Sequence, residues 1–388
     1  MRKFALFLFG LVVTGIVALG LVVLFSAGEA NGVRLHSGDV HHFFRQQLIY
    51  VGVGVFLASV VALIDYRNWK ERQWMTWLFV AVVFVLLLVV FAFPPVNGSR
   101  RWIRLIGGLR LQPAEFAKLG VVLLVSVWMD GISWQVEKFR RGTLMPMVFI
   151  GVIALPVLLE PDFGSVLVLS MAGVLVMFIA GSRILHMLPF FALGAGVFVY
   201  KVVTTANRMA RIAAYLGIKV NIGAEVADAA AERAAYQAQQ ALVAIARGGV
   251  FGVGAGQSMQ KHYYLPEAHT DFIFAIGAEE RGLVFSILVI LLFTLFFALS
   301  VYIAIKATDR LGKYLVMGMA FLIYFQAMFN IGMVCSAFPT KGMALPFFSY
   351  GGTNMLSSFF AVGMILSVGI HSYRDRRRQF ITKVLMRK

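Results

Sequence analysis

The chain reads as an all-α, polytopic membrane protein with about ten spanning helices. Three observations predict this class. Of 388 residues, 60% are hydrophobic and only 14% are charged, and mean hydropathy is +0.83, which is more apolar surface than a soluble core can bury. Apolar runs of about 20 residues, the length that crosses roughly 30 Å of hydrocarbon, recur along the sequence. The runs are continuous, so they lack the alternation of an outer-membrane barrel.

The first run, Phe4 to Ser26, follows Arg2 and Lys3 and is not succeeded by a small-residue cleavage site, so it is expected to be retained as a helix. The second and third, Gln47 to Ile64 and Trp74 to Phe93, enclose a short loop with Arg67, Lys70 and Arg72. A loop with Arg100, Arg101, Arg104 and Arg110 leads to the fourth run, Ala114 to Trp134. Lys138, Arg140 and Arg141 precede the fifth, Leu144 to Leu159, and the turn LEPDFGS joins it to the sixth, Phe163 to Ala180. The seventh run is Ile184 to Val203. The eighth, Phe272 to Ile305, is too long for one simple crossing, which predicts a short re-entrant or capping piece followed by a span. The ninth and tenth are Tyr314 to Ala337 and Thr353 to Ser372.

An even number of crossings puts both termini on one side, and Lys and Arg collect in short cytoplasmic segments. The basic start and the tail with Arg374, Arg376, Arg377, Arg378, Lys383, Arg387 and Lys388 therefore predict cytoplasmic termini. The loop with Arg100, Arg101, Arg104 and Arg110 then falls outside, against the rule, as expected of cations kept to hold an anion. The net charge of +17 fits anchoring to anionic lipid rather than nucleic-acid binding, since no soluble basic domain exists to grip a duplex. The single Cys335 excludes disulfides within the chain and cysteine-ligated metal sites. Residues 1–388 are expected to form one membrane domain with a single large exterior loop, 204–270. Within it, Ala224 to Ala246 predicts an interfacial or amphipathic helix, and GGVFGVGAGQS, Gly248 to Ser258, predicts a flexible turn, since it lacks the Lys and Ser/Thr of a phosphate loop.

Ionisable groups at membrane depth are the functional candidates. In QPAEFAKL, Glu115 and Lys118 stand three apart, share a helix face and can neutralise each other. Glu160 and Asp162 flank Pro161 in a tight turn, where a capping role is expected. The stretch YLPEAHTDFIFAIGAEERG, Tyr264 to Gly282, places Asp271 where a polar loop meets an apolar helix. Partial desolvation there would make a carboxylate a better proton acceptor; the same residue could instead cap the helix amides. The alternation of Glu267, His269 and Asp271 is weak grounds for a metal site. Glu279 and Glu280, with Arg281 beside them, read as helix-fixing groups. Lys341 lies in a loop bounded by two prolines and can join Arg101 and Arg104 as a cationic rim for a pyrophosphate.

NGSRRW (Asn97 to Trp102), QPAEFAKL (Gln112 to Leu119), LPEAHTDFIFA (Leu265 to Ala275), NIGM (Asn330 to Met333), PTKG (Pro339 to Gly342) and PFFSYGGT (Pro346 to Thr353) occur in this order. Together they resemble the SEDS family, whose members are FtsW and RodA, over nearly the whole chain, with spellings more similar to FtsW. The resemblance implies a peptidoglycan glycosyltransferase of the cytoplasmic membrane that polymerises lipid II at its periplasmic face. It implies a class B penicillin-binding protein and other division proteins as partners. It implies Asp271 as the essential carboxylate and general base. Arg101, Arg104 and Lys341 would bind the pyrophosphate, with His269 and Ser349 also facing lipid II. Glu115 and Lys118 would be a supporting ion pair. No metal ligands are assigned, although a divalent cation (Mg or Mn) can assist such chemistry. The family's Asp-Pro-rich run before YQ is replaced here by Ala-rich sequence in Ala214 to Gln240. A flippase for lipid-linked oligosaccharides and an elongation-type polymerase are the alternatives.

Overall fold

The computed structural model describes residues 2–29, 32–33, 38–95, 99–104, 110–132, 134–205, 209, 212, 215 and 225–385. Ten helices of 15 residues or more pack as a bundle. They are α1 (Arg2–Ala27), α2 (His42–Leu63), α3 (Gln73–Val89), α4 (Pro113–Gly131), α5 (Met145–Leu159), α6 (Phe163–Ala180), α7 (Ile184–Val203), α9 (Ile273–Ile305), α10 (Arg310–Val334) and α11 (Gly352–Leu385). An additional helix, α8 (Glu225–Gly248), a two-stranded hairpin, β1 (Ile103–Arg104) with β2 (Arg110–Leu111), and short helical turns at Asn68–Glu71, Val90–Ala92, Phe139–Leu144 and Gln260–Tyr264 complete the regular structure among the described residues.

Nine of these helices are long and apolar enough to span a bilayer. The exception is α4, which carries Glu115, Lys118 and Asp130, and its place in the bundle explains how it tolerates them. It packs against α3, α5, α6, α10 and α11, and most of its side chains are buried. A bilayer interior penalises charge that faces lipid but tolerates charge paired inside a bundle. The outward faces of the others are apolar, with Phe56, Leu63 and Leu185 among the most exposed side chains, as a lipid-facing surface requires. Helix α2 begins at His42, earlier than the Gln47 expected from hydropathy, because Phe43 turns inward and is buried.

The eighth apolar run does break as its length requires. Gly282 adopts φ 72°, ψ −164°, dividing α9 into a short piece up to Arg281 and a long span after it; only glycine takes this conformation without strain. The Gly-rich run 248–258 is not a free turn. Val253 N–H donates to the Glu279 carbonyl (3.0 Å), Gly254 N–H to that of Glu280 (3.0 Å), and Leu283 N–H to that of Gly249 (2.9 Å). The run thus lies backbone to backbone against the break, and a Cβ on Gly252 would run into the Glu280 carbonyl. Glu279 fastens the same segment by accepting from Ser258 Oγ and from the amides of Met259 (3.2 Å) and Gln260 (3.3 Å), and it pairs with Arg247 (3.3 Å). Glu280 accepts from Ser26 Oγ at the end of α1, and the buried ammonium of Lys261 reaches the Glu29 carboxylate at 2.8 Å. Helix α8 follows the amphipathic expectation and docks on α9 through a small-residue stripe of Ala234, Ala241 and Ala244. Ala224, where the sequence starts this helix, lies outside the described residues, as do Asn97 and Gly98 of NGSRRW.

At the end of the bundle opposite Asp271, Arg67 donates to Asp309 (3.1 Å) and Asp375 (2.5 Å), and Lys70 meets Asp130 (2.5 Å). Lys3 lies 5.7 Å over the Tyr373 ring, so the first and last helices share this end. Burial pushes the Tyr66 phenol up to about 12, with the Asp309 charge adding to the effect.

Candidate active site

Asp271 stands two residues before α9, half-buried, on a backbone held from three directions. Its carbonyl accepts from Asn330 Nδ2 of α10 (2.8 Å), and the same amide donates to the Met343 carbonyl (2.6 Å). Just upstream, Ser349 Oγ donates to the Thr270 carbonyl (2.6 Å) while accepting from Leu345 N–H (2.7 Å), and Tyr350 N–H donates to the His269 carbonyl (3.0 Å). One side-chain amide and one turn thus fix where the Asp271 carboxylate emerges. Ser349, proposed from sequence as a substrate contact, is buried and occupied by this fastening. The His269 ring packs at a tilt against Phe43, with centroids 4.5 Å apart, and against Tyr350 at 6.0 Å.

The carboxylate looks onto the α10–α11 loop. A Cβ placed on Gly342 would come within 2.9 Å of Asp271 Oδ2, so the absence of a side chain there lets the loop lean on the acid. The neighbouring Lys341 extends toward the α5–α6 turn. Its Nζ lies 3.8 Å from Asp162 Oδ1 and 6.0 Å over the Phe163 ring. Asp162 is the N-cap of α6, accepting from Ser165 N–H (3.2 Å) and Ser165 Oγ (2.8 Å), and it also takes a hydrogen bond from Gln112 Nε2 (3.2 Å). Burial alone would raise the Asp162 carboxyl, but the charges of Lys341 and Arg101 and the Ser165 hydrogen bonds outweigh it and hold it below the ordinary carboxylate range.

Arg101 closes the group from the α3–α4 loop, donating through Nε to the Glu160 carbonyl (3.3 Å) and through Nη2 to the Pro161 carbonyl (3.2 Å). The Glu160 side chain points inward and is fully buried, and neither carboxyl oxygen has a hydrogen-bond partner among the described residues. Burial pushes it up to about 8, the Asp162 charge adding and Arg101 opposing. Arg101, Lys341 and Asp271 are therefore brought to one face of the molecule, whereas Arg104 sits exposed on β1 opposite Arg110, with no ion pair among the described residues. Sequence reasoning expected Asp162 only as a cap, which it is, and missed that the capped turn meets Lys341. Gln112 and Asn330 belong to motifs whose spelling alone gives neither of them a role.

One helical turn along α10 from Asn330 lies the second polar group. Lys118 Nζ donates to Glu115 Oε1 (2.8 Å) and Gln326 Oε1 (2.7 Å), Ser357 Oγ donates to Glu115 Oε2 (3.1 Å), and Gln326 Nε2 donates to the Ala344 carbonyl (2.9 Å). This buried pair joins α4, α10 and α11 beneath the loop that carries Lys341, next to a small cavity of about 20 Å³. Among the described residues no three His, Cys, Asp or Glu side chains are grouped to hold a metal ion.

A family model described as a cell cycle protein, covering FtsW, RodA and SpoVE, matches residues 6–374. The chain belongs to this family. Relatives of this FtsW/RodA/SpoVE chain include a probable peptidoglycan glycosyltransferase FtsW of Coxiella burnetii, 36% identical over 91% of this chain and 93% of that protein. Another is the stage V sporulation protein E of Bacillus subtilis, 34% identical over 92% of this chain and 94% of that protein. Among solved structures, the rod shape determining protein RodA of Thermus thermophilus aligns with a TM-score of 0.65 at 25% identity, covering 94% of this chain and 96% of its own. A chain from a study of a peptidoglycan synthase complex aligns with a TM-score of 0.69 at 23% identity, over 94% and 97%, and shows the shared fold.

Proposed function

We propose that this chain is a peptidoglycan glycosyltransferase that polymerises lipid II into glycan strands, with Asp271 as general base. The observation that carries the proposal is the half-buried Asp271 carboxylate at the head of a re-entrant helix, against the Gly342 backbone and beside the Lys341–Asp162 pair. Asp271 accepts the proton of the acceptor sugar's 4-hydroxyl as that oxygen attacks the anomeric carbon of the growing chain, and the bond from that carbon to the polyprenyl pyrophosphate breaks. A single displacement inverts the anomeric centre. The leaving pyrophosphate needs charge neutralisation rather than a proton, and Arg101 and Lys341, with Arg104 at the rim, supply it.

We assign the basic end, with Arg67, Lys70 and the tail, to the cytoplasm and the Asp271 end to the outer face of the cytoplasmic membrane. Residues 1–388 act as one membrane domain, with 204–270 on the outer side as a surface for a class B penicillin-binding protein. The FtsW and sporulation names of the relatives favour work at a septum over elongation of the side wall. Purified protein with its transpeptidase partner and fluorescent lipid II, resolved on a gel, tests the proposal. Polymer from the wild type and none from Asp271→Asn at equal expression is expected. Equal polymer from both removes Asp271 from the base role, and translocation of lipid II with no polymer from the wild type favours a flippase.

A further inference from the structure

The Glu160 carboxyl is a buried acid that the mechanism above leaves unused, and its surroundings are unusual for one. A buried carboxyl normally finds hydrogen-bond donors, because an unsatisfied polar group in a low-dielectric site is costly. Here both oxygens lack a partner among the described residues while the carbonyls of Glu160 and Pro161 receive the Arg101 guanidinium. The next acid along the chain, Asp162, already carries the negative charge of the turn and engages Ser165, Gln112 and Lys341. The charged groups facing the turn are Arg101 from the α3–α4 loop, Asp162 from the turn itself and Lys341 from the α10–α11 loop. A second ionised carboxylate here would compete with any incoming phosphate for Arg101; a neutral one would not.

We propose that Glu160 is a positioning residue of the anion subsite, whose proton decides whether the Arg101 side of the turn presents positive charge to a pyrophosphate-linked lipid. With the proton in place, the guanidinium is directed to the ligand. Without it, the carboxylate neutralises the guanidinium from within the turn, and the ligand binds only after a proton is taken up from solvent. This rests on the anion-binding role given to Arg101 and Lys341 above. The placement of the acid at about 8 by burial puts the change in the range of ordinary assays.

Two measurements test the inference, and neither requires glycan synthesis. Binding of geranylgeranyl pyrophosphate to the detergent-solubilised full chain is followed by calorimetry at pH 8.5 in two buffers of different ionisation enthalpy. Uptake of roughly 0.8 proton per ligand is expected for a group titrating near 8, and uptake near zero overturns the inference. Second, the dissociation constant is followed from pH 6.5 to 9 for the wild type and Glu160→Gln, each normalised to its own value at pH 6.5. The wild-type constant should weaken about tenfold more than that of the variant, and parallel curves overturn the inference. Should Glu160→Gln fail to fold, the wild-type proton count decides alone. Absence of polymer from the wild type in the lipid II assay, with proton-coupled binding intact, would remove the glycosyltransferase proposal and leave this one standing.

Discussion

The Glu115–Lys118 pair allows a prediction whose size follows from its surroundings. Both side chains are more than nine-tenths buried, and the ammonium is held at 2.8 Å by Glu115 and 2.7 Å by Gln326. Lys118→Met removes the positive charge while nearly preserving volume, and leaves the Glu115 carboxylate in the middle of the bundle with Ser357 as its remaining donor. Breaking a buried pair by removing one partner typically costs about 3–5 kcal/mol. At roughly 2 cal/mol/K of unfolding entropy per residue, a chain of this length loses about 5 °C in Tm. Replacing both charges, as in Glu115→Leu with Lys118→Met, removes the orphan as well as the pair and should recover most of that loss. The assay is thermal unfolding in detergent, repeated in lipid nanodiscs, for the wild type, the single and the double variants. A single variant melting within about 1 °C of the wild type, or a double variant no more stable than the single, would refute the reasoning that this pair is a buried, mutually compensating unit.

Gly252→Val should destabilise the chain by on the order of 2 kcal/mol or more, because Gly252 has φ 84° and abuts the Glu280 carbonyl; the check is a fall in Tm, together with new proteolytic cleavage near residues 248–258. Arg67→Met leaves Asp309 and Asp375 without their shared cation at a partly exposed site, and should reduce stability by about 1 kcal/mol and increase protease sensitivity of the α11 tail. Lys341→Met should raise the Asp162 carboxyl toward its ordinary value. A depressed carboxylate contributes stability above its unfolded pKa that is lost as pH falls through the folded one, so acid unfolding of the variant should begin at higher pH in melts run between pH 3 and 6.

The spans were legible because each is a continuous apolar run, and even the break in the eighth followed from length alone. Helix α4 shows where that logic needs chemistry: three charges obscure its hydropathy, yet the three-residue spacing of Glu115 and Lys118 announces a shared face. What the chain order hides is contact between segments distant in sequence. Nothing in LEPDFGS says that its cap meets a lysine from PTKG, or that Arg101 closes on the carbonyls beside it. Nothing in GGVFGVGAGQS says that its glycines serve close approach to the broken start of α9 rather than mobility. Ser349 illustrates the same blindness from the other side: a hydroxyl in a motif reads equally well as a ligand to substrate or as a fastener, and only the Thr270 carbonyl and Leu345 amide distinguish the two. Asp271 was singled out as a candidate by the motif it shares with the family, whereas the fastening of its backbone, through Asn330, Ser349 and the bare Gly342, arises from loops that meet only once the bundle has assembled.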